Sequence, residues 1–215
     1  MSLITIEHLT KSYTERLLFD DTAFSINEGE KVGLIGINGT GKSTLLKIAA
    51  GLEEPDDGSV VRRRNLYIRY LPQIPAFTAG DTVLDAIVRD NRDEPHFSSR
   101  EEIEASAKNI LTRLGIYDFD EGCDHLSGGQ KKRVALARTL VDPTEVLILD
   151  EPTAVLTPQE TEALFEQLEK FRETGHTIVF ISHKLNEVMQ ISDRITVIRL
   201  GETKGTYDAK DITMD

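Results

Sequence analysis

Residues 36–43 read Gly-Ile-Asn-Gly-Thr-Gly-Lys-Ser and fit G-x-x-x-x-G-K-[ST] without a mismatch. Glycines 36, 39 and 41 let the backbone curl until successive N–H groups point inward, which cradles an anion. Lys42 then reaches the terminal phosphates and Ser43 offers a hydroxyl to Mg²⁺, with Asn38, Thr40 and Thr44 in the same phosphate-binding set. The setting matters more than the string. An apolar run at residues 32–35 precedes the loop as a buried strand would, and a helical pattern continues from Thr44. The positive end of that helix adds to the anion site. Such a chain is expected to bind a nucleoside triphosphate.

Two further constellations carry chemistry. The run Val146-Leu147-Ile148-Leu149 leads into Asp150-Glu151, a core strand ending in paired carboxylates. Asp150 is expected to hold Mg²⁺ through water, and Glu151 to polarise or orient an attacking water. Leu126-Ser127-Gly128-Gly129-Gln130 then opens a second helix, whose paired glycines expose backbone N–H groups as another anion site. A serine N-cap accounts for Ser127 but leaves the double glycine unexplained.

With that segment the chain resembles the ABC ATPases, whose signature is LSGGQ. The resemblance implies an α/β fold: a P-loop NTPase core with an antiparallel β-subdomain and an α-helical subdomain. It implies one domain over residues 1–215, with the helical part inserted near residues 75–140. ATP and Mg²⁺ follow as cofactors, and a second ABC ATPase domain as partner in a head-to-tail homodimer formed on ATP binding. Each signature then caps the nucleotide on the other's P-loop, Ser127 and Gly129 touching the γ-phosphate beside Gly128 and Gln130. Gln73 matches the Q-loop, which senses Mg²⁺ and the attacking water, and His183 matches the switch histidine, which donates to the γ-phosphate. Tyr13 stands where the family stacks an aromatic on adenine.

The style of the resemblance changes along the chain. Residues 1–140 are similar to the first domain of ABC-F proteins, a soluble ribosome-acting branch, in Lys11-Ser12-Tyr13 and Leu18-Phe19-Asp20-Asp21. Residues 147–215 are similar to sugar or nucleoside importer ATPases, in Pro152-Thr153-Ala154-Val155-Leu156-Thr157 and Ser182-His183-Lys184-Leu185. This implies a chain recombined or engineered near residue 147, a chimera, or mixed ancestry within a natural lineage. The D-loop ends in Thr157 where Asp is usual, which bears on coupling between paired sites. The stretch between Gln73 and Leu126 holds a helical subdomain but not the long ribosome-reaching arm of ABC-F proteins as well.

Composition narrows the outputs. The net charge of −12 opposes direct binding to nucleic acid and, with the missing arm, weighs against a ribosome partner. No stretch of eighteen apolar residues and no leader pattern occurs, so a cytoplasmic location is expected, at the inner face of the membrane if the chain serves a transporter. The single cysteine, Cys123, fits a reducing compartment and lacks metal-ligand neighbours. Three outputs remain open. One is a transporter motor docked on membrane permease subunits through residues 75–93, one an ABC-F-like factor, and one a domain that binds ATP without a physiological partner.

The elements that must position these groups follow from periodicity. Residues 3–9, 17–26, 59–63 and 66–71 alternate as strands of the antiparallel subdomain that carries Tyr13. Residues 81–90, opened by Asp81 as N-cap, and 99–114 read as helices, as do residues 159–172 behind Pro158. Residues 194–200 and 202–207 form a closing hairpin around Gly201. Basic clusters at residues 62–64 and 131–133 read as a solvated strand edge and an exposed helix face.

Overall fold

A computed structural model describes residues 1–92, 97, 99–142 and 144–212. In chain order the strands are Ser2–Tyr13 (β1), Arg16–Asn27 (β2), Lys31–Ile35 (β3), Asp57–Arg62 (β4), Ile68–Leu71 (β5), Val146–Asp150 (β6), Thr177–Ile181 (β7), Arg194–Arg199 (β8) and Glu202–Asp208 (β9). The helices are Lys42–Ala50 (α1), Val83–Asn91 (α2), Arg100–Arg113 (α3), Gly128–Leu140 (α4), Pro158–Glu173 (α5) and Leu185–Ile191 (α6).

The chain forms two compact units. The first comprises Met1–Tyr70, Thr144–Glu151 and Glu169–Asp215; the second comprises Leu71–Pro143 and Pro152–Leu168. In the first unit, the half-buried alternating strands make an antiparallel sheet in the order β2-β1-β4. The continuous apolar runs make a second sheet in the order β5-β6-β7-β3-β8-β9, in which β3, β6, β7 and β8 run parallel. All five positions of both β6 and β7 are buried, as expected of parallel strands covered on both faces. The core joins Ile4, Ile6, Phe19 and Ile26 of the small sheet to Leu45, Leu46 and Ile48 of α1 and to Val146, Ile148 and Val179.

The second unit is helical. The Thr82 hydroxyl caps α2 by accepting from the Asp85 N–H, and the Ser99 hydroxyl caps α3 by accepting from Glu102. Asp81 is therefore not the cap; its carboxylate instead pairs with Arg89 in the last turn of the helix.

Three expectations about elements are corrected. Strand β5 does not join the antiparallel subdomain but the edge of the large sheet, beside β6. Its lead-in is drawn there because the Tyr67 carbonyl accepts from both the Val146 N–H and the Thr144 hydroxyl. The cluster at residues 62–64 is not simply solvated: Arg62 donates from Nε to the Ala49 carbonyl at 2.9 Å and from its other end to Ile48, closing the C-terminus of α1. The cluster at residues 131–133 is not an exposed face either, since Lys132 is only 3% exposed. Among the described residues, no helix is long and apolar enough to cross a membrane.

Candidate functional site

Parallel pairing sets three of the expected segments side by side. Asp150 lies opposite Ile181 in the β6–β7 register, and Leu34 opposite Ile181 in the β3–β7 register. Glu151, the loop of Ser182 and His183, and the glycine loop thus leave the carboxyl edge of adjacent strands, where open α/β sheets bind ligands.

The glycine loop closes onto α1 through left-handed backbone at Gly39 (φ 77°) and Gly41 (φ 91°). Gly41 is the N-cap of α1 and supplies no side chain to its first turn, so those N–H groups remain available to an anion. The Thr40 hydroxyl donates to the Ile37 carbonyl at 2.9 Å and holds the curl, while Asn38 and Gly39 lie exposed. Lys42 folds back over the loop, its Nζ donating to the Gly36 carbonyl at 2.7 Å and the Ile37 carbonyl at 3.1 Å. Burial pushes its ammonium below the ordinary lysine value, against the pull of Glu151 and Asp150. Ser43 and Thr44 follow on the first turn, half-buried.

Asp150 is 1% exposed, and its Oδ2 accepts from the Tyr70 hydroxyl at 3.1 Å. Burial and then the Asp150 carboxylate push that phenol well above its ordinary value, so it stays a donor. Glu151 adopts φ 52°, a left-handed backbone rare for a residue with a β-carbon and frequent at functional turns. Its Oε1 lies 2.5 Å from His183 Nε2. The loop carrying His183 is held from below: the Ser182 hydroxyl donates to Glu187 at 2.8 Å, and the Lys184 N–H donates to Ser182 at 3.1 Å.

Tyr13 ends β1 with its ring about half exposed and its hydroxyl donating to Glu53. An exposed aromatic face of this kind is suited to stacking on a base.

The second unit carries the remaining two segments. Ser127 caps α4 in a reciprocal box: its hydroxyl accepts from the Gln130 N–H at 3.2 Å, and Gln130 Oε1 accepts from the Ser127 N–H at 2.9 Å. Gln130 is thereby engaged in shaping the helix start. A β-carbon at Gly128 would meet nothing within 4 Å, and one at Gly129 only Val155 at an ordinary 3.8 Å. Among the described residues, nothing crowds a side chain at either place. Gln73 is exposed in the loop after β5.

The family model described as ABC transporter matches residues 19–154, more than half of the chain. The chain belongs to the ABC transporter ATPase family. It is 33% identical to the uncharacterized ABC transporter ATP-binding protein YfmR of Bacillus subtilis (strain 168), over 97% of this chain and 38% of that protein. It is also 33% identical to the ribose import ATP-binding protein RbsA of Hahella chejuensis (strain KCTC 2396), over 100% of this chain and 46% of that protein. The ATP-binding cassette MJ0796, solved as a dimer in a post-hydrolysis state bound to ADP and Pi, matches with a TM-score of 0.86 at 25% identity. That match covers 97% of this chain and 100% of that one. The cassette described here spans less than half the length of the two curated relatives.

Three residues of the cassette escape motif reading. Tyr70 holds Asp150, Glu187 holds the switch loop and Lys132 holds the Q-loop. Tyr70 and Lys132 reach partners 80 and 60 residues away, and Glu187 meets Ser182 only through a folded loop, so a linear pattern carries no sign of these meetings.

Proposed function

We propose that this cassette is the nucleotide-binding domain of a transporter: it binds MgATP, pairs head to tail with a second cassette, and hydrolyses ATP at the composite sites. The observation that carries the reading is the convergence of Lys42, Asp150, Glu151 and His183 at one carboxyl edge of the large sheet. The uncapped first turn of α1 and the loop N–H groups receive the phosphates. Lys42 exchanges its two carbonyl acceptors for phosphate oxygens, a charge-assisted replacement of neutral hydrogen bonds.

Mg²⁺ fits the donor set. The Ser43 hydroxyl and the Asp150 carboxylate suit a hard cation, and the Gln73 amide oxygen is added by the family resemblance alone, a small donor set. That is the pattern of an ion bound jointly with nucleotide phosphates rather than in an all-protein cage. When bound, it neutralises charge on the phosphates. Glu151 would orient the attacking water and accept its proton, and His183, 2.5 Å from that carboxylate, would donate to the γ-phosphate. Ser127, Gly128 and Gly129 offer their N–H groups to the partner's nucleotide, which accounts for glycines that this chain alone does not need.

The location is cytoplasmic, and residues 75–92 form the surface toward a membrane permease subunit; Asp93, the last residue of that expected surface, lies outside the described residues. A splice near residue 147 remains our account of the change of style. It is tested by aligning the segments before and after residue 147 separately; a relative that matches both equally well would refute it. The functional reading is tested by size-exclusion chromatography of Glu151→Gln with MgATP. A stable ATP-loaded dimer without turnover is expected, and retained hydrolysis would count against Glu151 as the base.

A further inference from the structure

Lys132 lies on the first turns of α4, four residues after Gly128, and is 3% exposed. Burying an ammonium costs several kcal/mol unless acceptors surround it. Here the acceptors include two backbone carbonyls of the Q-loop: Pro72 at 2.8 Å and Gln73 at 3.0 Å. Two further contacts run the loop along the same helix. Arg138, six residues on, donates to the Ala76 carbonyl at 3.3 Å, and its guanidinium lies 4.9 Å from the centre of the Phe77 ring. Residues 72–78 have no regular structure of their own, so these side chains of α4 set their path. The Gln73 side chain is exposed while its backbone is anchored by a buried charge.

We infer that Lys132 is a positioning residue that ties the Q-loop to the signature, so that Gln73 moves with the start of α4. Residues four apart lie one above the other on a helix, about 6 Å along its axis, so Lys132 sits beneath Gly128 on one face. A tilt of the helix start on engaging the partner's nucleotide carries Lys132 with it, and the Pro72 and Gln73 carbonyls follow. This rests on the ATPase reading above.

The test combines amide hydrogen exchange over residues 71–78 with ATP turnover, in wild type, Lys132→Met, Lys132→Arg, Gln73→Ala and the double variant Lys132→Met/Gln73→Ala. Lys132→Met is expected to raise exchange across residues 71–78 and lower turnover about tenfold, with ATP affinity unchanged; misplacement of a catalytic group by about 1 Å costs up to about a hundredfold. Lys132→Arg restores most of both. In the Gln73→Ala background Lys132→Met has no further effect on turnover, because residues acting as one unit are not additive. A merely structural lysine gives additive losses, and that result, or unchanged exchange in Lys132→Met, overturns the proposal. If Lys132→Met melts below the assay temperature, Lys132→Gln replaces it. Should wild type show no turnover, the ATPase reading fails, and the exchange comparison alone still decides whether Lys132 holds the loop.

Discussion

Lys42 is held at 2.7 and 3.1 Å by the carbonyls of its own loop, with its ammonium pushed down by burial, so it is poised to leave neutral acceptors for anionic ones. A charge-assisted hydrogen bond contributes about 1.5–3 kcal/mol, so Lys42→Ala is expected to weaken ATP binding roughly 10- to 150-fold, read by fluorescent-nucleotide titration. Gly41 is constrained twice over. It has φ 91°, and an added β-carbon would lie 2.5 Å from the Phe19 ring. Gly41→Ala should cost about 2–3 kcal/mol in chemical denaturation and lose ATP binding as the loop shifts. These residues were legible in the sequence because their chemistry depends on contiguous spacing. Tyr70 and Glu187 were not, because their partners Asp150 and Ser182 are met through strand pairing and a folded loop.

Capping ties the helices of the second unit to the functional loops. Thr157 caps α5: its hydroxyl accepts from the Glu160 N–H, and the Glu160 carboxylate accepts from the Thr157 N–H at 2.8 Å. The D-loop threonine therefore has a structural use where Asp is usual. Glu160 also accepts from Arg133 on α4 at 2.5 Å. Burial pushes the Glu160 carboxyl up, but the Thr157 N–H and Arg133 outweigh it and hold it below the ordinary value. A depressed carboxyl adds stability that is complete above its unfolded value and is lost as pH falls through the native one. The stability gap between wild type and Glu160→Gln should thus close on acidification below about pH 4.5, followed by thermal melts; a gap independent of pH would contradict this.

The signature glycines give the sharper contrast at this scale. Alanine favours a helix over glycine by about 1 kcal/mol, and nothing crowds a β-carbon at residue 128 or 129. Gly129→Ala is expected to hold or raise the melting temperature while lowering turnover at least tenfold. Paired loss of both stability and activity would mean that the glycine serves the fold instead. Most elements were legible from periodicity, since buried runs and alternating runs differ in pattern. Strand β5 was not: its short half-buried sequence fits either sheet, and the Tyr67 carbonyl contacts with Thr144 and Val146 decide its place. Thr82 and Asp81 are both good caps by type, and the ion pair of Asp81 with Arg89 leaves the cap to Thr82. Lys132 read as surface because a basic run is usually solvated, whereas here loop carbonyls surround it.

At the scale of the whole molecule, the chain carries one glycine loop and one signature, and the signature glycines answer to nothing within it. On the proposed reading, each site of a working pair is shared between this cassette and a second one. The net charge of −12 adds repulsion between like copies, so pairing should strengthen as salt screens it and as ATP brings the surfaces into register. The most direct measurement is ATP hydrolysis per molecule as a function of protein concentration, with Glu151→Gln alongside. Specific activity should rise with concentration, level off as the pair saturates, and vanish in the variant while ATP binding persists. Specific activity that is constant across concentration, with turnover retained in Glu151→Gln, would contradict a composite site built on that carboxylate.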